Sequence, residues 1–253
     1  WFAYPHGDHG DDAVYLVRQH FHGALSCNAG NDSDRYQLNR RIVLEDTRLD
    51  RSRVTVIVAN YNYGAYLPEA MDSVLHQSVA PDEIIVIDDA STDGSPDIIQ
   101  RFGDKARLVF NEKNLGIVAN FNKAVGLATG DYIAILGADN RMRCDYVERC
   151  KTALDRNPEA VVAYTDMAIF GPRASELARQ VGATEIGESL AERWPVYRWS
   201  FPDPTPEAFA KLKSRNFIHG SSMYRRSTWN AVGGYAVSSG AEDHNLFVRM
   251  LAN

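Results

Sequence analysis

The stretch from Val54 to Asp93 constrains this chain more than any other. It reads Val54-Thr-Val-Ile-Val-Ala-Asn-Tyr-Asn62, then a segment of helical spacing, then Glu83-Ile-Ile-Val-Ile-Asp-Asp-Ala-Ser-Thr-Asp93. Each apolar run is short, rich in Val and Ile, and stops abruptly at polar side chains. Such a run suits a strand buried on both faces of a parallel sheet, with its carboxyl end opening to solvent. Between the runs, Tyr66 to Val79 places Leu67, Ala70, Met71, Val74 and Leu75 on one helical face. The unit reads β-α-β, and its polar loops fall where open α/β sheets bind ligands, beyond the strand ends.

The same rhythm continues downstream. The pattern predicts a helix over Ser95 to Phe102 and a strand over Ala106 to Phe110. A helix over Gly116 to Ala128 follows, closed by Gly130, and then a strand over Asp131 to Leu136. Cys144 to Asp155 reads as helix, ended by Asn157-Pro158, and Ala160 to Tyr164 as a fifth strand. Residues 166–205 lose the periodicity and are assigned to an irregular acceptor-side loop. Phe217 to Tyr224 reads as strand, Arg226 to Val232 as a short helix ending in Gly233-Gly234, and Ala241-Glu-Asp243 as the opening of a last helix. The expected class is α/β, a mostly parallel central sheet flanked by helices.

Residues 1–50 have a different character. Trp1 to Tyr4 and Ala24 to Ser26 read as strands and Asp11 to His22 as a short helix. Asn28 to Asp34 is turn-rich, and Glu45 to Arg53 is a charged linker. The expected division is therefore 1–50 and 51–253, the latter with a nucleotide-binding part over 53–140 and an acceptor-side part over 141–253. The chain starts without Met and stops within the amphipathic run Asn245 to Leu251, so it is expected to be a segment of a longer protein.

Composition narrows the partners. A net charge of −6 with no Lys/Arg-dense block argues against a nucleic-acid surface. No run approaches the roughly 18–20 apolar residues that span a bilayer. The expectation is a cytoplasmic protein, with peripheral association at the inner face of a membrane compatible. Three cysteines, Cys27, Cys144 and Cys150, give an odd count with no metal-type spacing, and Cys144 and Cys150 read as ordinary small apolar residues on or near one helix.

Three acidic groups follow strands or precede a helix. Asp88 and Asp89 end the second run; one can brace the loop while the other faces the crevice and accepts from a base imide or a ribose hydroxyl. Asp93 and Ser95 are assigned to the turn and helix cap instead. Asp139, after Ile135-Leu136-Gly137-Ala138, is a plausible ligand for a hard divalent cation that also grips phosphate oxygens. Glu242 and Asp243 stand at a helix start, where the dipole favours carboxylates whatever their role. An ionised Asp held there is also a rigid base for a hydroxyl proton.

Taken in order, Val-x-Ile-Val-x-x-Tyr-Asn62, Leu67 through Ser78, Ile87-Asp-Asp-x-Ser-Thr-Asp-Gly94, Asn114-Leu-Gly116 with Asn122, Ala128-Thr-Gly-Asp-Tyr-Ile133, Ala138-Asp139, Val232-Gly-Gly-Tyr235 and Glu242-Asp243 form one set. Over residues 53–253 that set resembles the family 2 glycosyltransferases, inverting enzymes of the nucleotide-sugar-binding fold called GT-A. The resemblance implies that Ala59, Tyr61 and Asn62 line the nucleotide pocket. It implies that Asp89 contacts the base with Asp88 beside it, and that Asn114 and Gly116 lie near the nucleotide. Asp139, next to Ala138, matches the second aspartate of the metal-binding Asp-x-Asp motif, and Asp243 matches the base of the Glu-Asp motif with Glu242. The implied cofactor is Mg²⁺ or Mn²⁺, the donor a nucleotide-diphosphate sugar, and the acceptor a glycan or lipid-linked acceptor.

The chain departs from that pattern. Gly137 replaces the first aspartate of Asp-x-Asp, Asn140 follows the second, Ala59 replaces Pro or Thr, and Phe121 stands where many members carry Arg. Phe2-Ala-Tyr-Pro-His-Gly-Asp8 and Tyr36-Gln-Leu-Asn-Arg-Arg41 resemble the closing portion of polysaccharide deacetylases over residues 1–45. That family's metal ligands would lie upstream, so His6, His9, His20 and His22 read as surface or turn residues. A binding module of the same fold with little activity is the alternative function. A nucleotidyltransferase would want a basic Gly-rich loop where Asn60-Tyr-Asn-Tyr-Gly64 is neutral, and a dehydrogenase would want Gly-x-Gly-x-x-Gly.

Overall fold

The computed structural model describes residues 52–188, 194–238 and 240–252, together with the backbone of three short strands nearer the start of the chain. The chain divides into two compact units, Trp1–Arg51 and Ser52–Asn253. In the first, β1 (Phe2–Ala3), β2 (Ala24–Ser26) and β3 (Leu38–Asn39) form a parallel sheet in that order. Two of these are the strands expected from the sequence. The expected helix over Asp11 to His22, the four early histidines and Cys27 lie outside the described residues.

The second unit is built on a six-stranded sheet. Its strands are β4 (Val54–Asn60), β5 (Glu83–Asp88), β6 (Arg107–Phe110), β7 (Tyr132–Gly137), β8 (Val162–Ala163) and β12 (Met223–Arg225), in the order β6-β5-β4-β7-β12-β8. The first four neighbours run parallel; β12 is antiparallel to both β7 and β8. Parallel strands need crossover helices, which here are α1 (Leu67–Leu75), α2 (Ser95–Gln100), α3 (Ile117–Leu127) and α4 (Tyr146–Arg156). The mostly parallel sheet flanked by helices is the class expected from the sequence.

Alternation along each strand sends side chains to opposite faces. Val54, Val56 and Val58 of β4 pack with Leu67, Met71 and Val74 of α1, Ile99 of α2 and Val147 and Leu154 of α4. Ile57 of β4, Ile85 and Ile87 of β5, and Ile133 and Ile135 of β7 pack with Ala124 and Val125 of α3. Two further helices, α6 (Pro206–Leu212) and α8 (Glu242–Ala252), close that second face through Leu212, Leu246, Phe247 and Met250. Both faces of the sheet are therefore dry, which is why its strands are continuous apolar runs. Cys150 lies in the first core, its thiol pushed up to about 12 by burial. Among the described residues no helix is long and apolar enough to cross a membrane.

Several sequence expectations needed correction. Helix α1 ends at Leu75 rather than Val79, because Gln77 turns away: its amide donates to Arg143 O at 2.7 Å and accepts from Val147 N at 2.9 Å. Gly130 does not close α3 by a left-handed turn. A Cβ there would lie 2.6 Å from Thr55 N, so the glycine allows the chain to pass flush against β4. Residues 166–205 are not irregular. They contain β9 (Met167–Ile169), α5 (Ala174–Val181), β10 (Thr184–Glu188) and β11 (Pro195–Trp199), the strands forming an antiparallel sheet in the order β10-β11-β9. Every residue of β10 is exposed, so no alternation marks it in the sequence. The predicted strand over Phe217 to Tyr224 is ordered only from Met223; the residues before it form a loop that buries Phe217 and Ile218 in the core. That strand leads into α7 (Arg226–Ala231).

Candidate active site

Register aligns the strand ends. Asn60 lies opposite Asp88, Asp88 opposite Phe110, and Ala59 opposite Gly137, so the parallel strands finish along one edge. The last residues of β4 then bind both neighbouring loops: Asn60 O accepts from Asp89 N and Ala59 O from Ala138 N, each at 2.9 Å. This edge carries the candidate site.

Asp88 and Asp89 are both buried. Asp88 Oδ1 accepts from Asn60 Nδ2 at 2.7 Å and from Ser91 Oγ at 2.6 Å, and its Oδ2 accepts from Ser91 N at 2.9 Å. It braces its own loop. Asp89 points the other way, toward the loop after β6. Its Oδ1 accepts from Asn111 Nδ2 at 2.7 Å and Leu115 N at 2.9 Å, and its Oδ2 from Gly116 N at 3.0 Å. A carboxylate has about four acceptor positions, so one on Oδ2 is left over after these three bonds. Asn114 Oδ1 also accepts from Gly116 N, at 3.0 Å, and Gly116 takes φ +77, which favours glycine.

Asn62 works as a bridge between loops. It adopts φ 58, a conformation asparagine tolerates, and its Oδ1 accepts from Thr92 N at 2.7 Å. Ala90, beside Asp89, also has a positive φ of 61, a strain of about 1–2 kcal/mol held by the bonds around it. Asp93 accepts from Gly64 N and Ser95 N, the turn role assigned from sequence. Tyr61 stands exposed at the rim.

Asp139 is exposed beyond β7, and the described residue that bonds its carboxylate is Asn140, whose Nδ2 donates at 2.8 Å. A Cβ on Gly137 would lie 2.8 Å from Asp139 Oδ1, so the missing first carboxylate is the space into which Asp139 folds. An exposed carboxylate whose Oδ2 has no hydrogen bond from the described residues fits a hard divalent cation, which prefers oxygen ligands. Among the described residues no group of three or more His, Cys, Asp or Glu stands ready to hold a metal, so the remaining ligands of such an ion would be waters and phosphate.

Glu242 and Asp243 open α8. Asp243 Oδ1 accepts from His244 N at 2.6 Å and Asn216 Nδ2 at 3.2 Å. Burial raises its carboxyl above the ordinary value of 3.8. Gly220 makes room for it: a Cβ there would lie 3.2 Å from Asp243 Oδ2. Behind it Tyr235 is raised by burial, with the charges of Asp243 and Glu242 adding to the shift. Phe121 packs on the Tyr235 ring at 5.4 Å, which accounts for an aromatic residue where the family pattern has Arg.

One contact ties the loop beside Asp243 to the start of α4, past the Asp139 loop. Because β12 runs antiparallel to β7, residues before Met223 lie toward the carboxyl end of β7. There Ser221 O accepts from the hydroxyl of Tyr146, which begins α4 just past the Asp139 loop. His219 is packed into the same turn, its Nε2 at 3.1 Å from Thr165 O, and burial holds its pKa down to about 4, so it is neutral at physiological pH.

Sequence reasoning missed Asn111, Asn216, His219 and Gly220. Asn111 carried the signal used for Asp88 and Asp139, a polar residue directly after an apolar strand. Asn216 and Gly220 carried none, since their partner lies 27 and 23 residues later and only folding brings them together.

Comparison with known proteins places this geometry among relatives. The family model described as Glycosyl transferase family 2 matches residues 55–232. EpsE of Bacillus subtilis (strain 168), a provisionally named glycosyltransferase, is 31% identical over 187 residues, covering 72% of this chain and 60% of that protein. The hyaluronan synthase of Pasteurella multocida is 25% identical over 219 residues, covering 85% of this chain and 20% of the synthase. The chain thus spans three-fifths or less of these relatives. Among solved structures, the mannosyltransferase PcManGT of Pyrobaculum calidifontis, in complex with GDP-Man and Mn²⁺, superposes with TM-score 0.57 at 24% identity, over 79% of this chain and 52% of that one. The fold is GT-A-like.

Proposed function

The chain belongs to glycosyl transferase family 2, and on that premise we propose that it moves a sugar, with inversion, from a nucleotide-diphosphate donor to a hydroxyl of a glycan. The observation that carries this reading is Asp243. Its carboxyl is half-buried, raised by burial, and fixed by Asn216 and the His244 N–H, with Oδ2 left against Gly220. A more basic carboxylate in a rigid seat is what proton abstraction from an acceptor hydroxyl needs. In a single displacement the acceptor oxygen bonds to C1 as the C1–O bond to the diphosphate breaks. The electron pair leaves with the diphosphate, and the proton goes to Asp243.

Asp89 and the loop it holds, with Tyr61 and Asn62 across the edge, form the nucleotide side. Asp139, with Asn140 beside it, would hold Mg²⁺ or Mn²⁺; such an ion, when bound, neutralises charge on the leaving diphosphate. The relatives named as glycosyltransferase and hyaluronan synthase support a cell-surface polysaccharide as the product class.

The test is a thermal-shift screen of nucleoside diphosphates and nucleotide-sugars with and without Mn²⁺, followed by NMR of the product's anomeric configuration. Stabilisation by a nucleoside diphosphate and an inverted product are expected. Binding without turnover in the presence of acceptors would instead favour a binding module, and a retained configuration would remove the single displacement.

A further inference from the structure

We infer that Arg141 is a positioning residue for the candidate diphosphate grip, acting by tying the Asp139 loop to the small antiparallel sheet. The inference rests on the reading of Asp139 given above. Its guanidinium carbon sits 4.1 Å from the centroid of the Phe170 ring, directly after β9. Its NH1 lies 3.2 Å from Glu69 Oε2 in the first turn of α1. One side chain therefore joins three elements: the loop after β7, the first crossover helix, and the small sheet.

The placement matters because of what holds Asp139. On its amino side the loop is pinned by the β7 ladder and by Ala138 N bonding Ala59 O. On its carboxyl side the first hold is Arg141, followed by Met142 N, which donates to Ser73 Oγ at 3.1 Å, and by Arg143 O, which accepts from Gln77 Nε2 at 2.7 Å. Asp139 itself is exposed and has only its neighbour Asn140 as a described side-chain partner, so its direction depends on the backbone that carries it. An exposed ion pair adds little to stability. A guanidinium held over an aromatic face, with one nitrogen paired, adds direction: Arg presents a planar head that Lys cannot reproduce. Position 141 is not among the residues that carry the resemblance to the family. Two residues past the metal-type aspartate, it draws its importance from Phe170, far along the chain.

Calorimetry of UDP and of GDP binding, with and without Mn²⁺, tests this on the full chain. Arg141→Ala should lower the Mn²⁺-dependent affinity about tenfold, as loss of a group supporting a metal ligand does. Metal-free affinity should be unchanged and the melting temperature should move little. Arg141→Lys, which keeps the charge and loses the guanidinium's contact with the ring, should fall between wild type and Arg141→Ala. Phe170→Leu should weaken Mn²⁺-dependent binding in the same sense, and the double variant should be no worse than Arg141→Ala alone. A Mn²⁺-dependent gain in the wild type that Arg141→Ala retains, or an equal loss with and without metal, overturns the inference while leaving the reading of Asp139 intact. No Mn²⁺-dependent gain in the wild type overturns both.

Discussion

The side-chain amide of Asn122 grips the backbone of Tyr235 at both ends: Nδ2 donates to Tyr235 O at 2.9 Å, and Oδ1 accepts from Tyr235 N at 2.8 Å. These residues are 113 positions apart. The pair mimics a short stretch of sheet and fastens α3 to the turn Gly233-Gly234, both of whose residues have φ near +77. Arg249 of α8 holds the same turn, donating to Val232 O at 2.6 Å and Gly234 O at 2.5 Å. Tyr235 in turn backs Asp243, so the clamp reaches the candidate base.

Asn122→Ala should therefore destabilise the fold by about 1–3 kcal/mol, since it strands a buried donor and acceptor. Gly234→Ala should cost at least as much, because its Cβ would meet Asn122 Oδ1 at 2.7 Å and the Trp229 ring at 2.9 Å at a φ that L-residues avoid. Urea unfolding reads both as a lower midpoint at unchanged slope. Unmoved midpoints would show that the clamp is not what holds the turn.

Asp243→Asn should separate activity from stability. Transfer should fall by at least about a hundredfold, with donor binding kept. Stability should move the opposite way. A carboxyl raised above its ordinary 3.8 holds its proton longer in the native state than in the unfolded one. Stability therefore falls as pH rises through that window, and the cost is fully present above the raised value. The amide never ionises, so the variant should be more stable than wild type at neutral pH and the two should converge in acid. The wild-type acid limb of kcat/KM should lie above the ordinary Asp range. Near-normal turnover in the variant would remove Asp243 from the role of base.

At the metal-type loop, Asp139→Ala should abolish any Mn²⁺-dependent gain in nucleoside-diphosphate affinity without changing the melting temperature, since the side chain is exposed. Gly137→Ala should cost little stability, because the atom in its way is the free end of Asp139, 2.8 Å off, which can swing aside. That swing should still weaken metal-dependent binding. A Gly137→Ala variant with wild-type Mn²⁺ response would show that the resting direction of Asp139 is irrelevant.

Asp89→Ala should lose stability as well as nucleotide affinity. It strands the Leu115 N–H and takes one of two acceptors from the Gly116 N–H and from the Asn111 amide, a loss of about 1–3 kcal/mol. Amide hydrogen exchange should show residues 111–117 opening in this variant. If nucleotide affinity vanished while exchange there stayed wild-type, Asp89 would act through contact alone.

The β-α-β frame was legible without coordinates because burial on both faces writes itself locally. Runs such as Val54 to Asn60 and Glu83 to Asp88 must be apolar throughout, and their polar stops mark the ligand edge. The same local signal located Asp88, Asp89 and Asp139. It could not tell that Asp88 braces its own loop while Asp89 holds the next one, because that choice depends on which N–H groups the fold delivers. The small sheet of β9, β10 and β11 left no pattern, since strands exposed on their flanks need no alternation.

Local chemistry along the chain thus specified which residues become strands, where they stop, and which acids stand at the stops. Only the packed structure decided the rest: Gly220 making space for Asp243, Asn216 orienting it, Asn122 clasping Tyr235, Arg141 lying on Phe170. Each of those pairs is set by distance in space between residues far apart in sequence. Periodicity encodes which side of an element faces the core, but not which partner waits there.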